Sequence, residues 1–178
     1  MTEPLNLFAF SGSHSSNSKT AILIDAVVEE IARTLPIRVT SANIAPFMDN
    51  PLGQRRKDLP ETARAILDGI ENADLLVMGS PVYKGSYSGA FKHVIDMIEP
   101  EGLLHKPVLL CAAGGGQRHA LMVEHQLRPL FGFFGAASAP IAIYASAADF
   151  TEDKITDPAL QDRIRLAVKG FAQMVNTI

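Results

Sequence analysis

The sequence predicts an α/β fold: a doubly wound, five-stranded parallel sheet of order 2-1-3-4-5 with helices on both faces. Three observations predict it. Strand-like apolar runs alternate with segments of helical period along the chain. Several of those runs are continuously apolar, as strands covered on both faces must be. Polar or glycine-rich loops follow the first, third and fourth strands. In such a sheet ligands bind outside the carboxyl ends of the strands, where the winding reverses, so these loops are expected to converge on one crevice.

Residues 5–10 (LNLFAF) read as a short buried strand. The small, polar stretch SGSHSSNSK follows, and apolar residues then resume at helical spacing with Ala21, Ile22, Ile24, Ala26, Val28, Ile31 and Ala32, predicting a helix over 18–35. After Pro36 the run IRVTSANI alternates like a second strand, and 45–60, with three prolines and a glycine, forms a long irregular loop. Its length makes it a functional candidate. A helix over 61–72 leads to a third strand at 75–79, the loop SPVYKGSYSG at 80–89, and a helix over 90–98. A fourth strand at 108–112 runs into AGGGQ, a helix through about 134, a fifth strand at 139–144 and a final helix from Pro158.

At 178 residues and 47% hydrophobic content the chain suits a single domain spanning 1–178. The net charge of -3, with dispersed basic residues, argues against nucleic-acid binding, which needs a clustered basic face; the longest basic run is Arg55-Arg56-Lys57, read as a solvated charge run. The single cysteine, Cys111, excludes an internal disulfide framework and a CxxC metal site and reads as a core thiol. His119 and His125 lie six apart and share no helix face as metal ligands would, so no metal is expected. A start without a basic leader and the lack of any membrane-length apolar run set the expectation of a cytoplasmic protein with no membrane partner.

The first loop opens a helix, where free N–H groups and the positive dipole end favour an anion. Its serines, Ser11, Ser13, Ser15, Ser16 and Ser18, exceed what a helix cap requires, and a phosphate is the natural guest; capping by Ser16, Asn17 or Ser18 alone is the plainer alternative. Gly12 is the loop's only glycine, so the G-x-G-x-x-G dinucleotide fingerprint is absent. In the second loop Pro81 and Gly85 fix the backbone path, while Val82 and Tyr83 offer flat apolar contact to a planar heterocycle such as a flavin. The plainer alternative has Ser86 or Ser88 capping the next helix. Gly114, Gly115 and Gly116 let backbone approach a ligand closely, or form a flexible turn. Inside the fourth helix Pro129 lacks an N–H and its ring would strike the carbonyl of His125. An i to i+5 turn relieves that clash, and a simple kink is the alternative.

These motifs together resemble the NAD(P)H-dependent FMN reductases of flavodoxin-like fold, over most of the chain. That family's phosphate loop, G-S-x-R-x-x-S-x-[N/S/T], is matched by Gly12, Ser13, Ser18 and Thr20, with Ser15 in the arginine place and His14 or Lys19 as substitutes for its charge. Its second motif, a PxY-type loop before an SGxxK helix start, is matched by Pro81, Val82, Tyr83, Lys84, Ser88, Gly89, Ala90 and Lys92. Within the family, PVYKGSYSGAFKHVID and AGGGQRHALMVEHQLRPLFGFFGA look like the reductases that supply reduced FMN to alkanesulfonate or methanesulfonate monooxygenases, where a one-residue insertion makes a π-turn at the position of His125.

The resemblance implies an enzyme passing hydride from NADH or NADPH to FMN, with no side-chain acid or base. It implies that Ser13, Ser15, Ser18, Lys19 and Thr20 hold the phosphate, that Pro81, Val82, Tyr83, Lys84 and Ser88 take the ring and its edges, and that Gly114 and Gly115 admit its other side. It implies an FMNH2-dependent monooxygenase as partner, and a homodimer or homotetramer with His125, Pro129 and the 45–60 loop near subunit contacts. Two alternatives stay open at this level: a reductase with prosthetic FMN acting on quinones, azo dyes or metal ions, and a flavodoxin-like electron carrier without pyridine-nucleotide activity.

Overall fold

In the computed structural model, residues 3–49 and 55–177 are described. Strand β1 (Leu5–Ser11), buried from Leu7 onward, lies between β2 (Ile37–Asn43) and β3 (Leu75–Tyr83) and runs parallel to both. Beyond β3, the two-residue β4 (Ser86–Tyr87) folds back on it, and β5 (Pro107–Gly114) pairs with its other edge in parallel. The last position of the sheet is filled by two segments, β6 (Ala137–Ser138) and β7 (Ile143–Ser146), each parallel to β5. The parallel strands therefore follow the flavodoxin-like order 2-1-3-4-5.

The side chains of β1 alternate between the two faces, as the strand period requires. Leu7 and Ala9 pack with Val77, Leu109 and Cys111 against α1 (Lys19–Ala32) and α5 (Pro158–Val175), through Leu23, Val27, Ile31, Ile164 and Phe171. Phe8 and Phe10 pack with Leu76, Met78 and Leu110 against α2 (Glu61–Asn72), α3 (Gly89–Ile95) and α4 (Arg128–Phe133). Each fully buried Leu, Ile or Phe contributes about 1.5–3 kcal/mol. Cys111 is completely buried there, and desolvation pushes its thiol up, so it stays protonated.

Three elements differ from the sequence expectation. The fifth strand, expected as one run over 139–144, is split. Ser138 pairs with Val108 and Ile143 with Cys111, so this edge carries two residues more than β5 over the same stretch. Pro140 lies in that excess and has no ladder N–H to give. Residues 80–89, expected as one loop, instead continue β3 to Tyr83 and return through β4. Lys84 (φ 53°) and Gly85 (φ 88°) turn the chain, and positive φ at both central residues is what a two-residue hairpin matching strand twist demands. The helix expected through about 134 opens with a separate 3-10 turn (Gln117–His119), while the i to i+5 turn expected at His125 is present as a π-helical segment (Val123–Leu127) that leads into α4. A small hairpin, β8 (Phe150–Thr151) with β9 (Lys154–Ile155), precedes α5 and had no sequence signal.

Residues 50–54 of the long loop lie outside the described residues. On its far side Arg56 bonds Glu71 (2.6 Å) and Asp68 (2.5 Å), fastening the loop to α2. Among the described residues, no helix is long and apolar enough to cross a membrane.

Candidate active site

The loops after β1, β3 and β5, with the turn after β7, border a crevice of about 280 Å³ at the carboxyl edge of the sheet. Ser13, Ser18, Lys19 and Thr20 form one wall, Pro81, Val82 and Tyr83 a second, and Ala113, Gly114 and Gly115 a third, with Ala147 closing the end.

The first wall is a loop tied to itself and to its neighbours. The N–H groups of Ser13 and Ser15 donate to the Oγ atoms of Ser11 (3.3 Å) and Ser13 (3.4 Å). Ser18 caps α1, its Oγ accepting from the Ala21 N–H at 3.1 Å. Gly12 donates to the Gly79 carbonyl at 2.7 Å, and a Cβ on Gly12 would stand 2.7 Å from the ring of Phe91, so only glycine lets the loop lie this close to α3. Among the described residues, the N–H groups of Lys19 and Thr20 have no protein acceptor, although Thr20 is only 2% exposed. Unpaired donors at a helix start favour an anion. Among the described residues Lys19 is the one charged side chain in the lining; its Nζ bonds the Ala147 carbonyl at 3.4 Å and stands 5.7 Å from the Phe150 ring centroid. His14, the other substitute for the family's arginine, is exposed and outside the lining.

On the second wall Pro81 and Val82 are half-buried and Tyr83 stands at the rim, 61% exposed. Ser15, Lys84 and Ser88 are not in the lining. Ser15 is exposed on the first loop, and Lys84 occupies the hairpin tip. Ser88 is the N-cap of α3: its Oγ accepts from the Phe91 N–H (3.1 Å) and donates to the Gly12 carbonyl (3.5 Å), so the hydroxyl braces one loop against the next. The buried Ser80 Oγ does similar work, accepting from the Ser88 N–H at 3.1 Å.

On the third wall the two glycines differ. A Cβ on Gly114 would meet Tyr144 Oη at 2.5 Å and Val82 Cβ at 3.2 Å, whereas a Cβ on Gly115 would have nothing within 4 Å and would point into open space. The Tyr144 hydroxyl donates to the Gly116 carbonyl at 2.6 Å, and burial raises its pKa, which keeps it a neutral donor. Asp149 accepts from the Ser146 N–H at 2.6 Å and so shapes the turn that carries Ala147. Sequence reasoning did not select Ala113, Tyr144 or Ala147. Ala113 and Ala147 line the crevice and Tyr144 stands behind Gly114, all placed by the pairing of β7 with β5, a register that no local pattern encodes.

Behind this wall, exposed His125 is the central residue of the π-helical segment, in which the Arg128 N–H bonds the Val123 carbonyl, an i to i+5 link. Pro129 is the second residue of α4. Met122 and Leu127, five apart, are both buried, a spacing that suits a π-turn better than an α-helix. Arg128 bonds Glu124 at 2.6 Å, holding that carboxyl below the usual range, and also bonds the Ala139 carbonyl at 2.9 Å, anchoring the segment to the split edge strand. Among the described residues there is no group of His, Cys, Asp and Glu able to hold a metal ion.

Residues 5–151 match the family described as NADPH-dependent FMN reductase. The NADH-dependent FMN reductase SfnF of Pseudomonas fluorescens is 44% identical over 179 residues, covering 99% of this chain and 95% of the relative. The FMN reductase (NADPH) of Pseudomonas aeruginosa is 44% identical over 176 residues, covering 98% and 94%. Among solved structures, the apo form of the NADH:FMN oxidoreductase EmoB superposes with a TM-score of 0.84 at 25% identity, over 95% of this chain and 89% of that one. A match over most of the chain, two relatives of this closeness and a flavodoxin-like sheet agree: the protein belongs to the NADPH-dependent FMN reductase family and is an NAD(P)H:FMN oxidoreductase.

Proposed function

We propose that the chain takes FMN into this crevice as a diffusible substrate and supplies the reduced flavin to a sulfonate-type, two-component monooxygenase. The observation that carries the reading is the crevice itself: unpaired N–H groups at a helix start, one lysine, and an open Gly115 surface, in a volume of about 280 Å³. Tyr83 at the rim is 61% exposed and Gly115 faces open space, so a flavin held by its phosphate stays partly uncovered. That suits exchange.

In this reading Ser13, Ser18, Lys19 and Thr20 hold the phosphate, Pro81, Val82 and Tyr83 lie along the ring, and Gly114 and Gly115 border its other side. Ser15 and Ser88 act by holding the loops, and Lys84 by turning the hairpin. Bound FMN supplies the hydride-accepting chemistry, and the chain supplies position and hydrogen bonds. The monooxygenase partner rests on the resemblance around His125 and Pro129. The exposed Leu121 (65%) and Phe133 (74%), on either side of that segment, support a homodimer or homotetramer, and the setting that suits all of this is the cytoplasm.

Comparing FMN with riboflavin tests the phosphate grip. Both are expected to be reduced, with KM for riboflavin higher by roughly 10- to 100-fold, since charge-assisted hydrogen bonds of about 1.5–3 kcal/mol are lost with the phosphate. Equal KM values would mean that the α1 loop does not hold it.

A further inference from the structure

We infer that Tyr144 is a positioning residue for flavin reduction, its hydroxyl clamping the glycine loop after β5 and thereby setting the wall of the crevice. The inference rests on the crevice being the flavin site.

Tyr144 pairs with Ala112 in the sheet and is 8% exposed. Its Oη donates to the Gly116 carbonyl at 2.6 Å and stands 2.5 Å from where a Cβ on Gly114 would be. That same Cβ position is 3.2 Å from Val82 Cβ, so the ends of β3, β5 and β7 meet around one hydroxyl. Gly115, between the two held glycines, has no neighbour within 4 Å of its Cβ position. Its place is set by Gly114 on one side and Gly116 on the other. Tyr144 also lines a neighbouring cavity of about 310 Å³ with Gln117, Glu124 and Arg163, so it forms part of the partition between that space and the crevice.

Three consecutive glycines have more backbone freedom than any other tripeptide, and freedom in the free protein must be lost when a ligand is bound. The clamp removes that freedom beforehand. Without the hydroxyl the loop is ordered at the expense of flavin binding, while the reaction of the bound complex proceeds as before. The loss therefore falls on KM for FMN rather than on kcat.

Tyr144→Phe keeps the buried ring and removes only the hydroxyl. KM for FMN is expected to rise about 3- to 10-fold, the equivalent of one hydrogen bond, with kcat at saturating FMN within about twofold of the parent. A purely structural role would instead lower the unfolding midpoint and the yield of active enzyme, leaving KM alone. Gly114→Ala forces a methyl group against Oη and should raise KM further. Tyr144→Phe removes that obstruction, so the double variant should have a lower KM than Gly114→Ala alone. An unchanged KM in Tyr144→Phe, or single effects that simply multiply in the double variant, would overturn the inference. Ser18→Asp in the same series separates the two levels. If it abolishes FMN binding while Tyr144→Phe binds normally, only the clamp is lost; if both bind normally, the crevice reading is lost as well.

Discussion

Replacing Ser18 with aspartate is expected to abolish FMN binding by a protein that folds normally. Aspartate is as good an N-cap as serine, and its carboxylate can take over the bond from the Ala21 N–H that Ser18 Oγ now accepts. A negative charge also suits the start of a helix, so the stability of α1 is kept or slightly improved. The same charge removes the site's attraction for a phosphate. Two unit charges about 4 Å apart near a protein surface repel by about 4 kcal/mol, and among the described residues Lys19 is the only lining charge available to offset this. The expected loss of affinity is roughly 1,000-fold, read by fluorescence titration with FMN. Titration like the parent's, in a variant with the parent's circular dichroism, would remove the phosphate from this loop.

Deleting His125 has the second large expected effect. The π-helical segment holds one residue more than an α-helix of the same span, and without it the Arg128 to Val123 link becomes i to i+4. The core can accept this. Met122 and Val123 would lie four and three residues before Leu127, the spacing of an ordinary amphipathic helix, and all three remain on the buried side. What changes is the aim of the preceding turns, rotated by about 100° relative to those that follow. That moves exposed Leu121 at the proposed subunit contact and disturbs the 3-10 turn that follows the glycine loop. The variant is expected to fold, to shift its oligomer distribution in light scattering, to retain flavin through dialysis, and to lose turnover with free FMN. A variant with the parent's flavin exchange and subunit state would make His125 an ordinary helix residue.

How far the sequence was legible depends on the range of the interactions involved. Period and capping are local, so β1, α1, α2 and α5 lie where their apolar spacing puts them, and a sheet of alternating Leu7/Ala9 and Phe8/Phe10 faces demands helices on both sides. The three crevice walls follow from strand order alone. Pro140 is visible as a breaker, yet the following IAIY run masks the split it causes, because two residues of slack appear only once both halves pair with β5. At Lys84-Gly85 the residue pair is a weak hairpin signal beside Asn-Gly or Asp-Gly. Ser88 satisfies both a cap and a ligand pattern, and the Phe91 N–H and Gly12 carbonyl decide its role. Tyr144 could not be chosen from sequence, since its partner carbonyl lies 28 residues away and is brought there by sheet register.

The most direct test of a diffusible-flavin reductase is NADH or NADPH oxidation followed at increasing FMN with exhaustively dialysed protein, together with its flavin absorbance. Flavin-free protein whose turnover rises from zero and saturates with added FMN is the expected result. Protein that stays yellow with one FMN per chain, and oxidises pyridine nucleotide at a rate indifferent to added FMN, would contradict it and establish FMN as a prosthetic group.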